Sequence, residues 1–153
     1  MAAPLHERIR DAVAADVKTL GTSPVWTRTL AMELWEPKAA VLPCICVSYE
    51  GGEEQFRGGS NERDYIGYPV LIAMHGVGPI NTPEDRQGIT PIEFRDRIRA
   101  RYHNKRIAAI PECDNCEFVP NPILNLELPQ YEKLTTAVAL IVVCSVPRAY
   151  TGS

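Results

Sequence analysis

Hydrophobic positions along this chain change their period from one stretch to the next, and each period predicts an element. Over residues 4–20, Leu5, Ile9, Val13, Val17 and Leu20 recur every three or four positions, with Glu7, Arg8, Arg10, Asp11 and Lys18 elsewhere on the wheel. That spacing predicts an amphipathic helix, ended by Gly21 and the Thr22-Ser23-Pro24 turn. Residues 26–35 put Trp26, Arg28, Leu30, Met32 and Leu34 on one parity, which fits an extended segment and a short helix equally. Two tryptophans there are expected as core or interface anchors. Residues 41–49 alternate Val41, Pro43, Ile45, Val47 and Tyr49 with Leu42, Cys44, Cys46 and Ser48, the period of a strand. Pro43 predicts an edge or a strand start.

The next stretch, residues 50–63, is rich in Gly and charge and poor in apolar residues, so it predicts a long exposed loop between two strands. Residues 64–77 return to period two, with Ile66, Tyr68, Val70, Ile72 and Met74 on one face and Tyr65, Leu71, Ala73 and His75 on the other. Gly67 and Pro69 predict a bulge near its start. After a loop over 76–88, Thr90-Pro91-Ile92-Glu93 reads as a capping box with proline at the first helical position. Phe94, Ile98 and Tyr102 then line one face by steps of four, opposite Arg95, Arg97, Arg99, Arg101, Lys105 and Arg106. Short extended pieces are predicted at 107–110 and 117–119, followed by a proline-marked connection over 121–132. Residues 135–146 are apolar and largely β-branched, with no charge, Gly or Pro, and are too short to cross a bilayer. They predict the central strand, buried on both faces. The expected fold is therefore one small α+β domain over residues 1–153, a mostly antiparallel sheet packed with two helices in the order α-β-β-α-β-β. The exposed loop 50–63 and a polar tail at 149–153 are its appendages.

Composition narrows the function by exclusion. At 153 residues, 45% hydrophobic and 23% charged, the chain is long enough for a real core. A net charge of −3 argues against a protein built to coat nucleic acid or anionic lipid. The start Met1-Ala2-Ala3-Pro4-Leu5-His6-Glu7 lacks the pattern of a signal peptide, so no export is expected. Five cysteines without such a signal predict reduced thiols.

Candidate chemistry is sparse. Cys44 and Cys46 form a CxC pair and Cys113 and Cys116 a CxxC pair, and all four together would suit a zinc site. A small cytosolic zinc-binding or thiol-dependent enzyme is accordingly the alternative function. Redox chemistry at Cys113 would want a helix start after it, whereas Glu117-Phe118-Val119-Pro120 reads as extended. Cys144 reads as core. His6, His75 and His103 fall in separate elements, His6 and His103 expected on the surface and His75 at a strand end. Gly51-Gly52 and Gly58-Gly59 are not followed by a phosphate-binding signature. No general acid, general base, metal set or cofactor is expected, and the chain is read as a non-enzyme.

The order of elements, together with "LPCICVSYEGGEEQ", the polar stretch ending "SNERDYIGYPVLIAMHG", "FRDRIRARYHNKRI" and the closing "VVCSVPRAY", resembles the tail terminator and neck proteins of long-tailed bacteriophages. The resemblance runs from about Leu5 to Arg148. It implies a structural virion protein assembled in the host cytoplasm, forming a homo-oligomeric ring of six at the head-proximal end of the tail. Its partners would be the tail tube protein and the head-side connector or stopper, with DNA passing through the ring without specific binding. Another neck or tail-completion position is the alternative within the class. Ring closure needs two complementary faces per subunit. The candidate interface residues are Glu50, Glu53, Glu54, Phe56, Arg57, Glu62 and Arg63 of the polar stretch and Arg95, Arg99 and Arg101 of the second helix, meeting as opposite charges across subunits.

Overall fold

The helix spacing at the start of the chain is realised as α1, Leu5–Val17, which buries Ile9, Val13, Ala14 and Val17. In the computed structural model the described residues are 4–20, 29–31 as backbone, 44–48, 54–60, 62–75, 91–124, 126–127 and 134–148. The elements after α1 are β1 (Thr29–Ala31), β2 (Cys44–Ser48), β3 (Gln55–Ser60), β4 (Arg63–His75), α2 (Pro91–Tyr102), β5 (Cys113–Val119) and β6 (Leu134–Pro147). The strands make one six-stranded sheet in the order β1-β2-β4-β6-β5, with β3 lying beside the first half of β4. Among the described residues only the β1–β2 pair is parallel. The α+β class, the mostly antiparallel sheet and the two helices are thus as the periodicity predicts.

Both helices cover one face of the sheet. Side chains of α1 and α2 join Ile45, Val47, Val70, Ile72, Met74, Val138, Leu140 and Val142 in one core. On α2 the buried residues are Phe94, Ile98 and Tyr102, the predicted stripe. Asp16 of α1 joins the two helices. Its carboxylate accepts hydrogen bonds from Arg101 at 2.5 and 2.9 Å and from the Tyr102 hydroxyl at 2.6 Å. Burial, the largest single influence, pushes the Asp16 pKa up, but those donors and the charge on Arg101 outweigh it and hold the carboxyl below its usual range. On the opposite face Cys44, Cys46, Leu71, Ala73, Ala137 and Ala139 form a second, smaller cluster.

Four details differ from the sequence reading. The predicted loop 50–63 contains a strand, because β3 pairs with Arg63–Gly67 of β4. Exposure, as expected, runs along all of β3, so it has no hydrophobic alternation to betray it. The strand buried on both faces is β4 from Gly67 onward, flanked by β2 and β3 on one side and β6 on the other. In β6 only residues 137–140 are continuously buried, and Ile141 and Val143 are half-buried. Residues 107–110 form a turn rather than a strand, while β5 starts four residues before the predicted 117–119 piece. β2 is flanked by β1 and β4, so it is not an edge, and of the two expectations the strand start holds, since β2 begins at Cys44. Pro43, Trp26, Trp35, Thr90 and the loop 76–88 lie outside the described residues.

Candidate assembly surface

Beyond the helix-covered core, β3, the first half of β4 and the end of β6 run on together as a polar three-stranded ribbon. The β3–β4 hairpin turns between Ser60 and Arg63, which pair, and Glu62 takes the left-handed conformation at φ 65°. The Glu62 carbonyl accepts the Arg148 N–H at 2.9 Å, which fixes the end of β6 to the turn. Arg148 also pairs with Asp64 at 3.1 Å, and Arg63 donates to the Ser145 hydroxyl at 2.7 Å and carbonyl at 3.0 Å. Asp64, Ser145 and Arg148 were not singled out from the sequence. Their partners lie 82 to 84 residues away, and no spacing rule connects them.

A bulge sets the direction of Arg57. The β3–β4 register passes from Phe56 opposite Ile66 to Gly58 opposite Tyr65, leaving Arg57 as the extra residue, and Gly58 supplies φ 129°. The Arg57 side chain crosses the sheet over Gly67, on the face away from the helices, and reaches Glu117 of β5 at 3.0 Å. Gly67 leaves the room. A Cβ built there would sit 2.7 Å from Ile141 Cγ2 and 3.3 Å from Arg57 Nε. Gly67→Ala is therefore expected to lower the unfolding free energy by about 1–3 kcal/mol through overpacking, measured as a fall in the urea midpoint. A midpoint unchanged from the parent would show that Ile141 and Arg57 yield freely.

The remaining candidate residues separate into three groups. Glu50 and Glu53 lie outside the described residues. Glu54, Phe56, Glu62 and Arg63 are exposed on the ribbon, with Phe56 69% exposed. On α2 the arginines divide. Arg95 donates to the Thr136 hydroxyl at 3.0 Å and to the carbonyls of Ala137 at 3.1 Å and Pro120 at 2.5 Å, tying α2 to β6 and to the end of β5. Arg101 is held by Asp16, and Arg97 donates to the Leu20 carbonyl. Arg99 makes an exposed helical pair with Asp96 at 3.3 Å. Arg95 and Arg101 are thus engaged within the subunit, and Arg99 is the predicted α2 residue with the most outward placement.

The four cysteines of the alternative reading do not converge. Cys44 and Cys46 sit on the helix-free face with their sulfurs 3.9 Å apart. Cys113, Cys116 and Cys144 belong to the helix-side core. The sheet lies between the two sets, so a four-thiol zinc site is not formed. Among the described residues no group of three or more His, Cys, Asp or Glu side chains is placed to hold a metal ion. All three histidines remain apart. His6 Nε2 meets the Pro69 carbonyl oxygen at 2.7 Å, His103 Nδ1 accepts the Phe118 N–H at 3.2 Å, and His75 is fully buried at the end of β4.

No protein-family profile, curated protein or solved structure matches the chain.

Proposed function

We propose that this chain is a structural virion subunit of the tail terminator kind, forming a ring through contacts between copies of itself. The polar ribbon is the observation that supports this reading. β3 is a six-residue strand whose side chains are all exposed or half-exposed, so it adds almost nothing to the core of its own chain. Among the described residues it pairs with β4 alone. Its outer edge thus offers backbone groups to another strand, with Phe56 beside them as an apolar anchor. A second copy is the occupant that ring closure requires, one subunit's ribbon meeting a different surface of the next. Arg99 and the exposed Glu54 and Glu62 carry opposite charges on different elements and suit a head-to-tail contact. The tail tube, the head-side connector and passing DNA are the partners this reading assigns, with no enzymatic step.

Light scattering on the native protein, alone and with isolated tail tubes, tests the proposal. The expected result is a ring-sized mass, or a monomer that assembles on tubes. Phe56→Glu should abolish either behaviour and leave the monomer folded, because Phe56 touches solvent and not the core. A monomer that ignores tail tubes at any concentration would sink the reading. Binding to the connector but not to the tube would move the chain to another neck position.

A further inference from the structure

We propose that Cys113 and Cys116 are a reversible dithiol–disulfide site, oxidised by a small-molecule disulfide. Cysteines three apart on a regular strand point to opposite faces. Here the β5–β6 register slips between Cys113, opposite Cys144, and Asn115, opposite Val143. The slip makes Asp114 an extra residue and brings both cysteines to the helix side of the sheet. Their sulfurs stand 4.0 Å apart. A disulfide needs about 2.05 Å, and the bulge is the one place in β5 where the backbone is free of strict pairing.

The two thiols are not equivalent. Cys113 Sγ accepts the Ile107 N–H at 3.4 Å and is 4% exposed, whereas Cys116 is fully buried. Ile107 also lines an open cleft of about 440 Å³ whose walls carry the Arg101–Asp16 pair together with Lys105 and Arg106. The Cys113 sulfur is therefore one residue behind a surface that a small anionic disulfide can reach. Arg106 and Asp114, paired at 3.8 Å, are the charged groups beside it, with Cys116 and Cys144 on its inner side. A hydrogen bond from the Cys116 thiol, assisted by the Ile107 N–H, brings the Cys113 pKa down to about 7 against the pull of burial. The same contact and burial push Cys116 up, and burial pushes Cys144 up to about 12. A helix N-terminus is thus not needed to make Cys113 the nucleophile. Cys46 is instead raised by its contact with Cys44 and by burial.

The chemistry is ordinary exchange. The Cys113 thiolate attacks one sulfur of the disulfide, forming a mixed disulfide and releasing a thiolate that takes a proton from water. Cys116 loses its proton to solvent and attacks the Cys113 sulfur, displacing the second thiolate. Two protein thiols give up two electrons, and the small disulfide becomes two thiols.

The test treats the folded chain with glutathione disulfide at neutral pH, quenches in acid, alkylates the remaining thiols and maps the peptides by mass spectrometry. Two of the five thiols should be lost in a Cys113–Cys116 link that dithiothreitol reverses. Cys116→Ser should retain one glutathione on Cys113, and Cys113→Ser should take none. As a check independent of variants, a pulse of iodoacetamide on the native protein should label Cys113 roughly ten times faster than any other cysteine, from its larger thiolate fraction. No thiol loss from the native protein, a link between Cys44 and Cys46, or glutathione on Cys144 would each overturn the assignment.

Discussion

Replacing Phe94 by alanine is expected to lower the unfolding free energy by about 3–5 kcal/mol, the cost of emptying a phenylalanine-sized site in a packed core. Phe94 is fully buried and stands in the first turn of α2, the end at which that helix enters the core. A helix of this length is marginal on its own in water. It stays in place because Phe94, Ile98 and Tyr102 are buried against β5 and β6, while most of its other residues face solvent. Loss of the first of these anchors also loosens the bonds that the adjacent Arg95 makes to Thr136 and Ala137. The control is Ile92→Ala. Ile92 is 73% exposed on the same helix, and truncating it should move stability by no more than about 0.5 kcal/mol. Urea denaturation followed by circular dichroism reads both. Similar small losses for the two variants would show that α2 is not fastened through Phe94.

Stripes of apolar residues at helical spacing were legible, since the pattern that marks α1 and α2 is the pattern that buries them: Ile9, Val13 and Val17 on one, Phe94, Ile98 and Tyr102 on the other. β3 was not legible. A strand covered on neither face has no reason to alternate, and the extra residue Arg57 breaks what period remains. The depth of a strand was equally hidden. Residues 135–146 look more buried than 67–75, which include Gly67, Pro69 and His75, yet the latter are buried throughout. Burial on both faces depends on what the neighbouring strands and layers cover, not on the strand's own hydrophobicity. The candidate surface was visible as a polar stretch, but the partners of Arg57, Arg63, Arg95 and Arg101 outside their own elements lie 25 to 85 residues away along the chain. Cysteine spacing showed two pairs and could not show that the sheet divides them.

Acidification from pH 7 to pH 5 is expected to remove about 2 kcal/mol of stability through His75 alone, rising to about 3 kcal/mol near pH 4. His75 is fully buried, opposite Cys44 on β2, and neither ring nitrogen has a hydrogen-bond partner among the described residues. Burial accordingly lowers its pKa to about 4 from an ordinary value of 6.5. Above pH 6.5 the ring is neutral in both folded and unfolded chains, and its contribution is constant. Between 6.5 and about 4 the unfolded chain takes up a proton that the folded chain refuses, so the unfolded state gains and stability falls. Below about 4 both forms are protonated and the loss levels off. Asp16 and Glu112, whose carboxyls are held below their usual range, add a loss of the same sign, but at lower pH. The interval from pH 6.5 to 5 therefore belongs mainly to His75. Urea midpoints of the parent and of His75→Leu, taken across that interval, separate the contributions. The leucine variant has no ring to protonate and no buried nitrogen left unpartnered, so its stability should change little while the parent's declines. Parallel curves for the two proteins would mean that the folded chain accepts the proton at His75, and that some group or water reaches its ring.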